Sequence, residues 1–111
     1  MTQDNAAQGL LILIANPKLE EMLVDFLLQQ NTLSGFNISG FTSSQVSGHG
    51  TGNAAVNLSL VEQVTGRQSR VQFMLHAALP VLHTLIALLK DQFSNADIHF
   101  ILQPVLETGT I

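Results

Sequence analysis

Leu10-Leu11-Ile12-Leu13-Ile14 is a short unbroken apolar run, the pattern of a strand buried on both faces. The period then changes. Asn16-Pro17 offers an N-cap followed by proline for the first helical turn, and Glu20 and Glu21 suit the positive end of a helix. Leu19, Met22, Leu23, Phe26 and Leu27 recur at helical spacing, which predicts a first helix to about Asn31, stopped by Ser34-Gly35. Phe36 to Gln45, rich in Phe, Ile, Thr and Ser, predicts a second strand with Phe36 and Ile38 on one face. From Arg70 to His76, Val71, Phe73 and Leu75 alternate with Gln72, Met74 and His76, a half-buried strand. Pro80 opens a second helix that reaches Phe93 through Leu82, Leu85, Ile86 and Leu89, and Ser94-Asn95 breaks it. Asp97 to Gln103 is the last strand, with Ile98, Phe100 and Leu102 alternating and Pro104 ending the pairing.

The order βαββαβ is the ferredoxin-like α+β motif, a four-stranded antiparallel sheet with both helices on one face. At 111 residues it reads as a single domain, residues 1–111, with a core at about 9–105. The face away from the helices is too apolar to be wet. Whichever parity of the first strand faces the helices, the other is still Leu or Ile, and Met74 and Ile101 add to it. A patch of that extent marks an interface, so a homo-oligomer that buries the sheet is expected. The candidate residues are Leu11, Leu13, Met74 and Ile101, or Leu10, Ile12 and Ile14 if the parity is reversed.

The connection from Val46 to Ser69 is long for so small a fold, and long connections are usually functional or disordered. It opens with Ser47-Gly48-His49-Gly50-Thr51-Gly52-Asn53. Glycines at alternate positions let the backbone approach a ligand and leave amides to line an anion nest. Ser47 to Asn53 is expected to be poorly ordered without a ligand. Two of the four basic residues, Arg67 and Arg70, bracket its end, suited to phosphate or carboxylate, with an ordinary ion pair to Glu62 as the plainer alternative. The candidate ligand site is therefore Gly48, His49, Gly50, Gly52, Arg67 and Arg70, with His49 also the candidate metal ligand. His76, His83 and His99 form no metal pair at i, i+2 or i, i+4 spacing, although His76 and His99 share a face if the strands register suitably. Glu20, Glu21 and Asp25 read as a solvated helix face.

Charge and composition narrow the classes. Four Lys+Arg against eight Asp+Glu argue against a nucleic-acid or anionic-membrane binder. The absence of Cys removes disulfides, thiolate metal sites and thiol nucleophiles. No basic n-region precedes the short apolar run near the N-terminus, so a cytoplasmic protein is expected. There is no nucleophile elbow, Walker loop or HExxH, and a non-enzymatic binding protein is the reading. A small enzyme with an inter-subunit active site is the alternative from another class.

Gly40-Phe41-Thr42, then Val46-Ser47-Gly48-His49-Gly50, then Glu62-Gln63-Val64-Thr65-Gly66-Arg67 and Arg70-Val71 resemble the proteobacterial domain-of-unknown-function 3240 family. That family lies in the PII-like superfamily of PII signal proteins and CutA. The resemblance covers about residues 9–105. It implies a homotrimer with helices outside and sheets facing the threefold axis. It also implies small effectors at inter-subunit clefts, a 46–69 loop that docks on a partner, and a link to heavy-metal efflux with a transporter as candidate partner. The effector it implies is a nucleotide or other anion, or a divalent metal as in CutA. PII proteins hold phosphates with an arginine in the loop opening, a glycine-and-lysine turn after the second helix and basic residues past the fourth strand. This chain has Thr42-Ser43-Ser44-Gln45, Phe93-Ser94-Asn95-Ala96-Asp97 and no Lys or Arg after Pro104 at those places. Arg67, Arg70 or an adjacent subunit's Lys90 would have to supply the charge.

Overall fold

The computed structural model describes residues 7–33, 38, 40–49 and 67–111. Strand β1 (Gln8–Ala15) leads through a 3-10 turn (Pro17–Leu19) into α1 (Glu20–Leu33). The hairpin strands β2 (Thr42–Gly48) and β3 (Gln68–Ala78), helix α2 (Leu79–Gln92) and β4 (His99–Val105) follow. The sheet order is β2-β3-β1-β4, and every neighbouring pair is antiparallel. This is the expected ferredoxin-like arrangement.

The Asn16-Pro17 signal acts one turn earlier than an α-helix needs. The Lys18 amide donates to Asn16 Oδ1 at 2.9 Å and the Leu19 amide to the Asn16 carbonyl at 2.9 Å, closing the 3-10 turn that delivers Glu20 into α1. Helix α1 buries Leu23, Phe26, Leu27 and Gln30, an i, i+3, i+4, i+7 stripe. Met22, counted with that stripe from spacing, instead lies on the outer side at 56 % exposure. Helix α2 buries the expected Leu82, Leu85, Ile86 and Leu89. Phe26 of α1 meets Phe93 beyond α2 edge to face, ring centroids 5.5 Å apart, which locks the two helices together above the sheet.

Strand β1 settles the parity that its uniform Leu/Ile run left open. Leu11, Leu13 and Ala15 are sealed against the helices with Val71, Phe73, Leu75 and Ala77 of β3. Leu11 and Leu13 are therefore core residues and not candidates for an intersubunit face. The alternate set, Leu10, Ile12 and Ile14, is only half-buried and looks outward. Gly9 also faces the helices. A Cβ there would stand 2.5 Å from Leu79 Cδ2 and 3.0 Å from Leu82 Cδ1, so its missing side chain lets the start of α2 press onto the sheet.

Three boundaries depart from the sequence reading. β2 begins at Thr42 and includes Ser47 and Gly48, whereas Ile38 is a buried core residue ahead of it. Its polar run TSSQVSG pairs along β3 because ladder hydrogen bonds use the backbone, and an edge strand need not bury its side chains. β3 starts at Gln68, so the connection shortens at both ends, to His49 through Arg67. β4 continues through Pro104, which faces Gly9 in register, because an edge strand has an open side on which a missing N–H costs no ladder bond.

Candidate functional site

The mouth of the β2–β3 hairpin gathers most of the candidate residues. The ladder runs Thr42↔Met74, Ser44↔Gln72, Val46↔Arg70 and Gly48↔Gln68. Gly48 thus forms the last rung, with His49 and Arg67 flanking it just outside the strands, both exposed. Arg70 is half-buried on the face away from the helices. A Cβ on Gly48 would lie 3.3 Å from Arg70 Cγ, so the guanidinium stem runs across the bare glycine. Arg70 Nη2 donates to Gln68 Oε1, which steers the head along the strand toward the mouth. Gly48 and Arg70 thus meet at the last rung, with His49 and Arg67 next to it in the chain, residue types suited to an anion. Gly50, Gly52 and Glu62 lie outside the described residues, as does the Gly50–Asn53 part of the segment expected to be poorly ordered.

The outward face continues from this mouth as a grid. Gln72, Ile14 and His99 form one row, Met74, Ile12 and Ile101 the next, and His76, Leu10 and Gln103 the third. The middle is apolar and uncovered, with Met74 38 % and Ile101 40 % exposed. His76 and His99 do share this face, as foreseen. They sit at opposite corners, with β1 between them and four residues of rise, about 13 Å along the strands and about 10 Å across. Within one chain they do not meet. His83 is exposed on α2. Among the described residues, no three His, Cys, Asp or Glu side chains stand close enough to hold a metal. Glu21 and Asp25 are exposed, and Glu20 is reached by the Ser43 hydroxyl at 3.5 Å, a solvated face as read from sequence. No helix among the described residues is long and apolar enough to cross a membrane.

Residues 5–111 match the model of a family described as a protein of unknown function, DUF3240. The chain belongs to the DUF3240 family. A solved DUF3240 protein from Shewanella baltica OS155 is 17 % identical with a TM-score of 0.69, covering 94 % of this chain and 96 % of that one. A nitrogen regulatory PII-like protein from Thiomonas intermedia K12, CPII, solved with ADP, AMP and bicarbonate, is 12 % identical. Its TM-score is 0.65, covering 95 % of this chain and 97 % of that one. CutA1 from Pyrococcus horikoshii is 11 % identical with a TM-score of 0.65, covering 91 % and 86 %. At these identities the likeness is one of fold, and the fold is that of the PII-like and CutA proteins. No curated protein matches the chain.

Sequence inspection missed what holds Arg70 in place. Gln68 lies two residues from Arg70 on the same strand, and the bare Cα of Gly48 lies across the ladder. The Gln-x-Arg spacing puts both side chains on one face of a strand and was the available signal. The contact with Gly48 depends on register and had none.

Proposed function

We propose that this DUF3240 protein is a non-enzymatic PII-like regulator that binds a small anionic effector at the hairpin mouth. Its unit is a homotrimer that buries the outward sheet face, which brings the mouth of one subunit to a cleft with the next. Gly48, His49, Gly50 and Gly52 supply amides and one imidazole, and Arg67 and Arg70 the positive charge. The protein acts in the cytoplasm, where its 46–69 segment docks on a partner, for which the family resemblance suggests a metal-efflux transporter. One observation supports this reading: the Arg70 stem crosses Gly48 at the last hairpin rung, with His49 and Arg67 next to that rung in the chain, at the border of an uncovered apolar face. The ligands bound by the Thiomonas CPII, ADP, AMP and bicarbonate, name the anions to try first.

Calorimetry with ADP, AMP and bicarbonate, and with Cu²⁺ and Zn²⁺, tests it. Arg67→Ala with Arg70→Ala should weaken anion binding by about 1–3 kcal/mol per charged hydrogen bond lost, more so at low salt. His49→Ala should abolish divalent-metal binding if the imidazole is a ligand, and affect an amide-held anion only modestly. If neither variant changes any affinity, the hairpin mouth is not the site. Consumption of a nucleotide in the same experiment would assign an enzyme instead.

A further inference from the structure

The other side of the sheet has a concavity of its own. The end of α2, residues 93–97 and the start of β4 enclose a half-open cleft of about 350 Å³. Its apolar lining is Leu13, Ile86, Leu89, Phe93, Ile98 and Phe100. Its charged lining is Lys90 and Asp97, with Ser94 and Asn95 beside them. Phe100 belongs to the helix-facing parity of β4 and stays 40 % exposed. Lys90 Nζ stands 5.4 Å from the centre of the Phe100 ring, a cation–π contact that holds the ammonium beside the apolar wall.

The turn that forms the far lining is held in an unusual backbone. Asn95 and Asp97 have φ of 63° and 59°, left-handed values that non-glycine residues adopt reluctantly, and Asn and Asp least so. The Ala96 amide donating to the Phe93 carbonyl at 3.1 Å, and Phe93 locked against Phe26, fix it. The cleft is thus built on rigid parts, as a binding cavity requires.

Its chemistry selects an occupant. The volume is at the small end of the range for small-molecule sites, roughly 300–1,000 Å³. Two aromatic walls favour a flat apolar body. One cation, Lys90, offers a partner to an anionic end, while Asp97 in the same lining opposes a second negative charge. A polyphosphate is therefore disfavoured and a monoanion fits. We propose that this cleft is a ligand site separate from the hairpin mouth, taking a small aromatic carboxylate of the arylalkanoate class. Lys90 holds the carboxylate, and Phe93 and Phe100 hold the ring.

The test is amide NMR titration of the full chain with 3-phenylpropanoate and with its neutral amide. Perturbations should cluster over residues 86–100, and the acid should bind about tenfold tighter than the amide, as one charged hydrogen bond implies. Lys90→Gln, at an exposed position, should bring the two ligands to equal affinity. Ala96→Trp should block both while leaving the sedimentation mass unchanged. Three results would overturn the proposal. They are perturbations confined to Met74, Ile101 and their face, or the acid–amide preference surviving in Lys90→Gln, or no binding of either ligand. A fall in mass for Ala96→Trp would also overturn it, by showing the cleft to be a contact between copies.

Discussion

Replacing Ile12 with aspartate tests the outward face most directly, because Ile12 sits at its centre between Met74 on β3 and Ile101 on β4. Fully burying a side chain of this kind contributes about 1.5–3 kcal/mol, so covering the remaining two-fifths of Met74 or Ile101 contributes about 1 kcal/mol each per subunit. A carboxylate in the middle of that contact carries a desolvation penalty of several kcal/mol, once per subunit, and the flanking rows hold His76 and His99 but no Lys or Arg to offset it. The penalty outweighs the gain, and the assembly should dissociate. In the single chain, however, position 12 is only half-buried, so the aspartate there reaches water and costs the partial Ile12 burial, about 1–2 kcal/mol, plus its poor strand propensity, about 1 kcal/mol. The expected product is a folded monomer with wild-type circular dichroism. Leu13→Asp is the contrasting variant. Leu13 is 1 % exposed in the core, and the same charge there should unfold the chain outright. Sedimentation velocity and circular dichroism on both variants decide the matter. An unchanged mass for Ile12→Asp, or a wild-type chain already monomeric at micromolar concentration, would refute the reasoning.

Two stability predictions follow from packing. Gly9→Val should destabilise by about 1–3 kcal/mol in urea unfolding, since a Cβ there overlaps Leu79 and Leu82 and the Gln103 carbonyl at 3.3 Å limits the retreat. Phe73→Ala should cost about 3–5 kcal/mol by the same measurement, because the ring is fully buried and its tilted partner Phe41, 6.0 Å away, would border the cavity.

The element order, the helix-facing stripes of α2 and most of α1, and the long hairpin connection were all legible in the sequence, because each is a local periodicity or its interruption. Leu82, Leu85, Ile86 and Leu89 could only line one side of a helix, and Val71, Phe73 and Leu75 one side of a strand. Strand parity in β1 was not legible. Both of its sides are Leu or Ile, and only the packing of α1 and α2 decides that Leu11 and Leu13 go inward while Ile12 goes outward. The place of β2 was hidden for the opposite reason. Thr42–Gly48 is too polar to announce a strand, and its position comes from backbone pairing with β3. Pro104 looked like a terminator until β4 proved to be an edge. The candidate residues of the hairpin mouth could be named from glycines and arginines alone. Only register brings the bare Cα of Gly48 under the stem of Arg70, and only the meeting of α2, its following turn and β4 creates the cleft beside Lys90. Sequence carries the preferences of neighbours along the chain. Contacts between distant segments are chosen by which faces can be covered at once, and that is decided when the sheet and helices close on each other.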